Sequence, residues 1–301
     1  MWKRFTPTLR CPLCASQLEL SIFEETRERL SDEHIQLAEK RALLDDDFAC
    51  YVDAGMLLCA GCKALYPIAH GLPVLLPYRT PLHEEFSLKY EARIRHLGND
   101  WRFPARDPVP GERFVLRSFS TEWLEYDYDG VIWEMDYADH EQRFLAELGP
   151  FRPDDADGSF LEMGCGIGLT TFLAQRNFDV DAVGVDLSLA ALRAAMRYRS
   201  NPFLHFVQGS VFYLPFAAET FDTVYSRGVL HHTYSTHEAF DLLAKHCKRG
   251  GEDRSPRWHS QTQPSIHRSF ICRRLPQSRL GRSERLALST RSIWRALSPE
   301  F

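Results

Sequence analysis

From Tyr137 to about residue 250 the chain alternates between short apolar runs and longer stretches whose apolar positions recur with helical spacing. Four runs read as strands, at 159–163, 181–186, 202–208 and 221–226; each is short, bounded by turn residues and carries Val or Phe. The spacing predicts helices over 168–176, 188–198 and 235–248, preceded by one that starts at Tyr137 in YADHEQRFLAELG. Alternation of this kind requires a parallel sheet covered by helices on both faces, because parallel strands need long crossovers. Right-handed crossovers then predict the strand order 3-2-1-4 and collect the strand ends, with any ligand, on one edge.

Ahead of this region the pattern differs. Prolines at 67, 73, 77 and 81 punctuate the apolar run YPIAHGLPVLLPYRTP and exclude a long helix, so residues 1–80 read as a small module closing into a linker. Within it, EETRERLSDEHIQLAEKRALLDDD is rich in helix formers, with Leu30, Ile35, Leu37 and Leu44 as sparse apolar positions, and predicts an exposed helical insertion. Residues 81–137 show no clear period but concentrate Phe114, Phe119, Trp123, Tyr126, Tyr128, Trp133 and Tyr137, as a lid or docking segment would. Beyond Gly251 the pattern stops. Residues 252–301 hold ten Arg, no Lys, nine Ser and four acidic residues, which makes them +6 against −11 for the rest. Such a tail predicts disorder or a shifted reading frame, with RLALSTRSIWRAL as a basic amphipathic helix in the rival reading of a genuine nucleic-acid-binding tail. The sheet is expected to end, truncated, at its fourth strand.

Composition changes this picture little. A chain of 301 residues with 44% hydrophobic and 26% charged residues and a net charge of −5 is that of an ordinary globular protein of two domains, without the basic excess of a polyanion binder. Neither a signal-like apolar core at MWKRFTPTLRCPLC nor a run of roughly 18 apolar residues is present, so a cytoplasmic protein without a membrane partner is expected. Four of the eight cysteines form two C-x-x-C pairs, Cys11/Cys14 and Cys59/Cys62, which in that setting favours metal over disulfides. Four thiolates suit tetrahedral zinc, and a closed shell of four makes it structural, not catalytic.

The main chemical signal is Leu161-Glu162-Met163-Gly164-Cys165-Gly166-Ile167-Gly168, between a predicted strand and a predicted helix. Alternate glycines let the backbone turn tightly and approach a ligand, and the helix beyond offers free N–H groups. Asp186 ends the next strand, where a carboxylate accepts hydrogen bonds from both hydroxyls of a ribose. The dinucleotide fingerprint needs a third glycine or alanine where this chain has Leu169 or Thr171, so NAD is disfavoured.

With VGVDLS, VQGSVFYLPFAAETFDTVYSRGVLHHT and LAKHCKRGG following in order, residues 138–251 resemble class I S-adenosylmethionine-dependent methyltransferases of the type 11-like group. The resemblance implies an α/β, Rossmann-like sheet and S-adenosyl-L-methionine as cofactor. It implies that Glu162, Gly164, Cys165, Gly166 and Gly168 hold the methionine part, Asp186 the ribose, Leu187, Ser210 and Val211 the adenine, and that Ser226 and Arg227 lie beside the sulfonium. Ser210 stands where the family often has an aspartate. His231 and His232 are candidates for a catalytic base, with a packing or capping histidine as the plainer reading. The stretch LLCAGCKALYPIAHGLPVLLP resembles small zinc-ribbon proteins that activate methyltransferases, implying a zinc-ribbon-like domain fused to the enzyme. The expected activity is methyl transfer to a small molecule; an RNA or protein substrate recruited by the ribbon, or a non-catalytic cofactor-binding scaffold, are the alternatives. The oligomeric state is left open.

Overall fold

The computed structural model describes residues 1–98, 100–125, 132, 134–148, 158–248, 257–258 and 269–273. Its N-terminal part is an antiparallel meander of β1 (Glu19–Arg27), β2 (Cys50–Cys59), β3 (Ala64–Ala69) and β4 (Leu72–Leu75). His70 and Gly71, with φ of 51° and 77°, make a two-residue hairpin between β3 and β4 that matches the twist of the flanking strands. The expected helical insertion is shorter than its composition suggested. Its first residues pair with β2 as part of β1, and only α1 (Asp32–Lys40) is helical, capped where Ser31 Oγ accepts from the His34 N–H at 3.3 Å. Strand pairing has overridden helix propensity there, and the charged side chains suit an edge strand.

The second part follows the predicted alternation: α5 (Tyr137–Leu148), β5 (Ser159–Met163), α6 (Leu169–Phe178), β6 (Asp181–Asp186), α7 (Ala190–Arg197), β7 (Leu204–Gly209), β8 (Thr223–Arg227) and α8 (Thr236–Ala244). The parallel strands run β7-β6-β5-β8, the expected order. On α7 the buried face is Ala190, Ala191, Ala194 and Ala195, small enough for the helix to lie close against the sheet. The segment expected to be irregular holds α2 (Pro81–Lys89), α3 (Glu91–His96) and α4 (Glu112–Glu125).

The two parts share one sheet. Val74 and Leu75 of β4 pair in parallel with Gln208 and Gly209 of β7, so what the prolines suggested was a linker is a strand buried on both faces. The other correction concerns the tail. Ser269–Arg273 (β10) lies antiparallel to β8, with Ile271 opposite Tyr225, and Arg257–Trp258 (β9) lies beside β10. The sheet therefore does not stop at its fourth parallel strand. Ile271 and Cys272 are buried within it, a local apolar pair that the Arg- and Ser-rich average concealed. The remaining tail, with residues 285–297, and Tyr126, Tyr128 and Trp133 of the aromatic segment lie outside the described residues.

Charge pairs fasten the N-terminus to the α/β part. Arg4 grips Asp181 at the start of β6 with both terminal guanidinium nitrogens, at 2.8 and 3.0 Å, and Arg41 reaches the same carboxylate at 2.9 Å. Phe5 stacks on His205 at 4.2 Å. Burial raises the Asp181 carboxyl, but hydrogen bonds from His205 and Arg4 outweigh it and hold the group well below the usual carboxylate range. A folded pKa below the unfolded value means that the pairing stabilises the fold above about pH 4 and that this stabilisation is lost as acid titrates the folded group. Asp181→Asn removes the carboxylate that Arg4 and Arg41 share; we expect a loss of about 3 kcal/mol in urea unfolding at pH 7.

Candidate active site

Three strand ends build the site. β5 runs into the glycine loop, where Gly164 takes φ of 80°; a Cβ there would lie 2.1 Å from Cγ2 of Val229, so the close approach of the segment after β8 requires glycine. Gly168, φ 83°, opens α6, but its missing side chain makes room for Phe206 and Ala194 behind the loop, and it is not on the wall of the cavity. Gly166 N–H donates to Asp186 Oδ2 at 2.8 Å, while Ser188 donates to Oδ1 through N–H at 2.8 Å and Oγ at 2.7 Å. Asp186 thus ties the glycine loop to the turn after β6 and is one of the residues lining the cavity. Burial still pushes its pKa up, against the three hydrogen bonds.

Glu162, buried at the end of β5, accepts from Thr171 Oγ1 at 2.6 Å, and burial pushes its carboxyl up to about 7. Cys165 lines the cavity, yet its thiol is buried against Gly184 and desolvation raises it well above its ordinary value, which makes it a filler and not a nucleophile. Leu187, Ser210, Val211 and Arg227 also line the cavity, Arg227 with Nε 3.6 Å from Glu147 Oε1. Ser226 does not: its buried Oγ donates to the Met163 carbonyl at 2.9 Å and pins β8 to β5. Of the two histidines, His232 lines the cavity and meets the Phe119 ring edge-on at 5.2 Å, whereas His231 is an exposed neighbour off the wall.

The segment expected to act as a lid does reach the cavity. Glu112, Val115, Phe119 and Trp123, all on α4, line it together with Ile132 and His140. Those four recur at intervals of three or four residues, the signature of one helix face, which the density of aromatics obscured.

A second cluster lies in the meander. The Sγ atoms of Cys11, Cys14, Cys59 and Cys62 all fall within 4.8 Å of one another, with Cys11–Cys62 at 3.6 Å and Cys14–Cys59 at 3.3 Å. Zinc–sulfur bonds of ~2.3 Å in a tetrahedron put sulfurs about 3.8 Å apart, so the set fits zinc. Both pairs sit in the same turn. Ala15 N–H bonds to the Cys11 carbonyl and Lys63 N–H to the Cys59 carbonyl, each at 2.8 Å, and both fifth residues are left-handed, at φ 59° and 58°.

Residues 161–252 match the family model of the methyltransferase domain. Phosphoethanolamine N-methyltransferase 3 of Arabidopsis thaliana is 33% identical over 94 residues, 31% of this chain and 19% of that protein. Phosphoethanolamine N-methyltransferase of Triticum aestivum is 31% identical over the same shares. The chain thus matches about a fifth of the length of these curated relatives. Among solved structures, phosphoethanolamine N-methyltransferase 2 of Haemonchus contortus in complex with S-adenosyl-L-methionine is 25% identical, with a TM-score of 0.40 over 50% of this chain and 36% of that one. Residues 161–252, from the end of β5 through α8, are thus similar to a methyltransferase domain.

Proposed function

We propose that this chain is an S-adenosylmethionine-dependent methyltransferase acting on a small molecule, with a structural zinc in its N-terminal meander. One observation carries the reading: a single cavity gathers the glycine loop, the Glu162 carboxylate and the Asp186 carboxylate at the ends of adjacent parallel strands. Asp186 is placed to accept from the ribose hydroxyls, and Glu162 to pair with the amino-acid end of the cofactor beside Arg227. Leu187 and Val211 give the base an apolar bed. When bound, the cofactor supplies a methyl carbon already activated by its positive sulfur. The protein's own task is then to align an acceptor and exclude water, and Val115, Phe119, Trp123 and Ile132 form the apolar wall that does so. His232 is the side chain placed to receive a proton from the acceptor. The names of the matched relatives make phosphoethanolamine the first acceptor to try.

The test is methyl transfer from labelled S-adenosylmethionine by the full chain, with calorimetric titration of S-adenosylhomocysteine beside it. Saturable binding and label transfer to a small molecule are expected. A folded protein that binds no S-adenosylhomocysteine overturns the proposal.

The position of Glu162 gives binding a pH dependence. Its carboxyl titrates at about 7 in the free protein, and the ammonium of the cofactor favours the ionised form. Binding therefore expels a proton below pH 7, and affinity falls on acidification by up to about tenfold per pH unit. The same titration on Glu162→Gln is expected to be flat between pH 5.5 and 7.5.

A further inference from the structure

Helix α5 packs on the face of the sheet formed by β5 and β8, where Phe144 meets Phe160 and Tyr225 edge-on at 6.1 and 5.7 Å. Tyr225 and Arg227 stand two residues apart on β8 and so point to the same face. Glu147, one turn beyond Phe144, takes both of them. Its Oε2 accepts from the Tyr225 hydroxyl at 2.5 Å, and its Oε1 lies 3.6 Å from Arg227 Nε. Arg143, one turn earlier on the helix, donates from Nε to the same Oε1 at 3.2 Å. Burial and the Glu147 charge raise the Tyr225 hydroxyl well above its ordinary value, so it stays protonated and remains a donor.

Arg227 lines the cavity with its side chain 13% exposed, and its closest approach to Glu147 is through Nε. Among the described residues, no hydrogen bond engages its two terminal nitrogens, and neither is shut away from solvent. A guanidinium so far out of water needs more than one loose ion pair, and its fork matches the two oxygens of a carboxylate or phosphate. One carboxylate shared by Arg143 and Arg227 also leaves an excess of positive charge beside the cavity.

We propose that Glu147 is a positioning residue that holds Arg227 from behind, so that the terminal nitrogens form a seat for an oxyanion, carboxylate or phosphate, at the β8 end of the cavity. This rests on the reading of the cavity as a methyl-transfer site. Two ligands carry such a group, the cofactor at its amino-acid end and an anionic acceptor, and the seat receives either by the same chemistry. Glu147 lies outside residues 161–252, so the seat is completed by a helix that precedes the matched region. Tyr225 fixes the carboxylate, the carboxylate fixes the guanidinium, and the ligand meets an arginine already in place. An unanchored arginine must surrender its rotamer freedom on binding, which costs up to about 30-fold in affinity.

The experiment titrates the full chain calorimetrically with S-adenosylhomocysteine and with its decarboxylated analogue, and then titrates inorganic phosphate into the S-adenosylhomocysteine complex. If the cofactor supplies the oxyanion, the wild type favours S-adenosylhomocysteine by about tenfold or more. If the acceptor supplies it, the two compounds bind alike and phosphate binds the complex. Glu147→Asp keeps the charge but draws it back by one methylene, and is expected to reduce the carboxylate preference, or the phosphate affinity, by at least about fivefold. Glu147→Gln keeps the length without the charge and is expected to stay within about twofold of wild type. A merely structural role lowers affinity for every ligand together and leaves the preference unchanged, and a role of charge alone reverses the order of the two variants. Either result overturns the proposal, as does a wild type with neither carboxylate preference nor phosphate binding. Tyr225→Phe, which releases the carboxylate at its other oxygen, is expected to act as a milder Glu147→Asp and replaces it if that variant fails to fold. Absence of S-adenosylhomocysteine binding in folded wild type overturns instead the reading of the cavity on which the seat rests.

Discussion

Asp186→Ala is expected to weaken S-adenosylhomocysteine binding by at least about 100-fold. Two hydrogen bonds from ribose hydroxyls to a carboxylate are worth roughly 1.5 kcal/mol or more each, and 3 kcal/mol is about two orders of magnitude in affinity. The loss has a second source. Gly166 N–H and both donors of Ser188 lose their shared acceptor, so the glycine loop is no longer tied to the turn after β6. Folding is expected to survive. Burial raises the Asp186 pKa, which means that its charge is unfavourable to the folded state near neutral pH and that the variant loses hydrogen bonds but is relieved of a desolvated charge. A melting temperature within a few degrees of wild type, together with lost binding, is the expected pair of results. Asp186→Asn keeps one acceptor oxygen and should fall between. Retained binding in Asp186→Ala would remove the ribose from this strand end.

What could be read from the chain and what could not divides along the reach of the interactions. The strands at 159–163 and 181–186 and the order 3-2-1-4 were legible because burial on both faces leaves continuous apolar runs, and crossover geometry then limits the topology. The glycine loop with Asp186 was legible because its chemistry is local to a strand end. The pairing of β4 with β7 was not: 130 or so residues separate Val74 from Gln208, and nothing in PVLL says which edge it will join. β1 was hidden by charged side chains that an edge strand tolerates and a helix also favours. Glu112 stayed invisible for a related reason, since its partner Ser210 lies 98 residues away and its own segment shows no strong apolar period. Ser226 and Gly168 lie off the cavity wall. Their positions at the loop and strand end suggested ligand contact, but one pins two strands and the other makes room for Phe206. Position along a motif identifies the neighbourhood of a ligand, and only the direction of a side chain separates contact from support.

Stripping the metal from the four-cysteine cluster is expected to be the most damaging change to stability. Zinc held by four thiolates contributes on the order of 10 kcal/mol in small metal-folded domains. Here Cys11 and Cys59 are buried in the core, whereas Cys14 is exposed and Cys62 half-buried, so half of the cluster is held at the surface. We expect purified full-length protein to hold one zinc per chain and its melting temperature to fall by at least about 10 °C when a strong chelator removes it. The effect should not stop at the meander. The Cys59–Ala64 register opens the β2–β3 hairpin, β3 carries β4, and β4 is paired with β7, whose end bounds the cavity. Tyr78 follows β4 directly and packs beside Glu112. Chelation is therefore expected to weaken S-adenosylhomocysteine binding as well, even though the cluster offers no open position to a substrate. Cys59→Ser should reproduce both effects, whereas Cys50→Ser, outside the cluster, should leave metal content and melting unchanged. Protein that melts identically with and without chelator, and carries no metal when purified, would make these four cysteines ordinary thiols and the meander self-supporting.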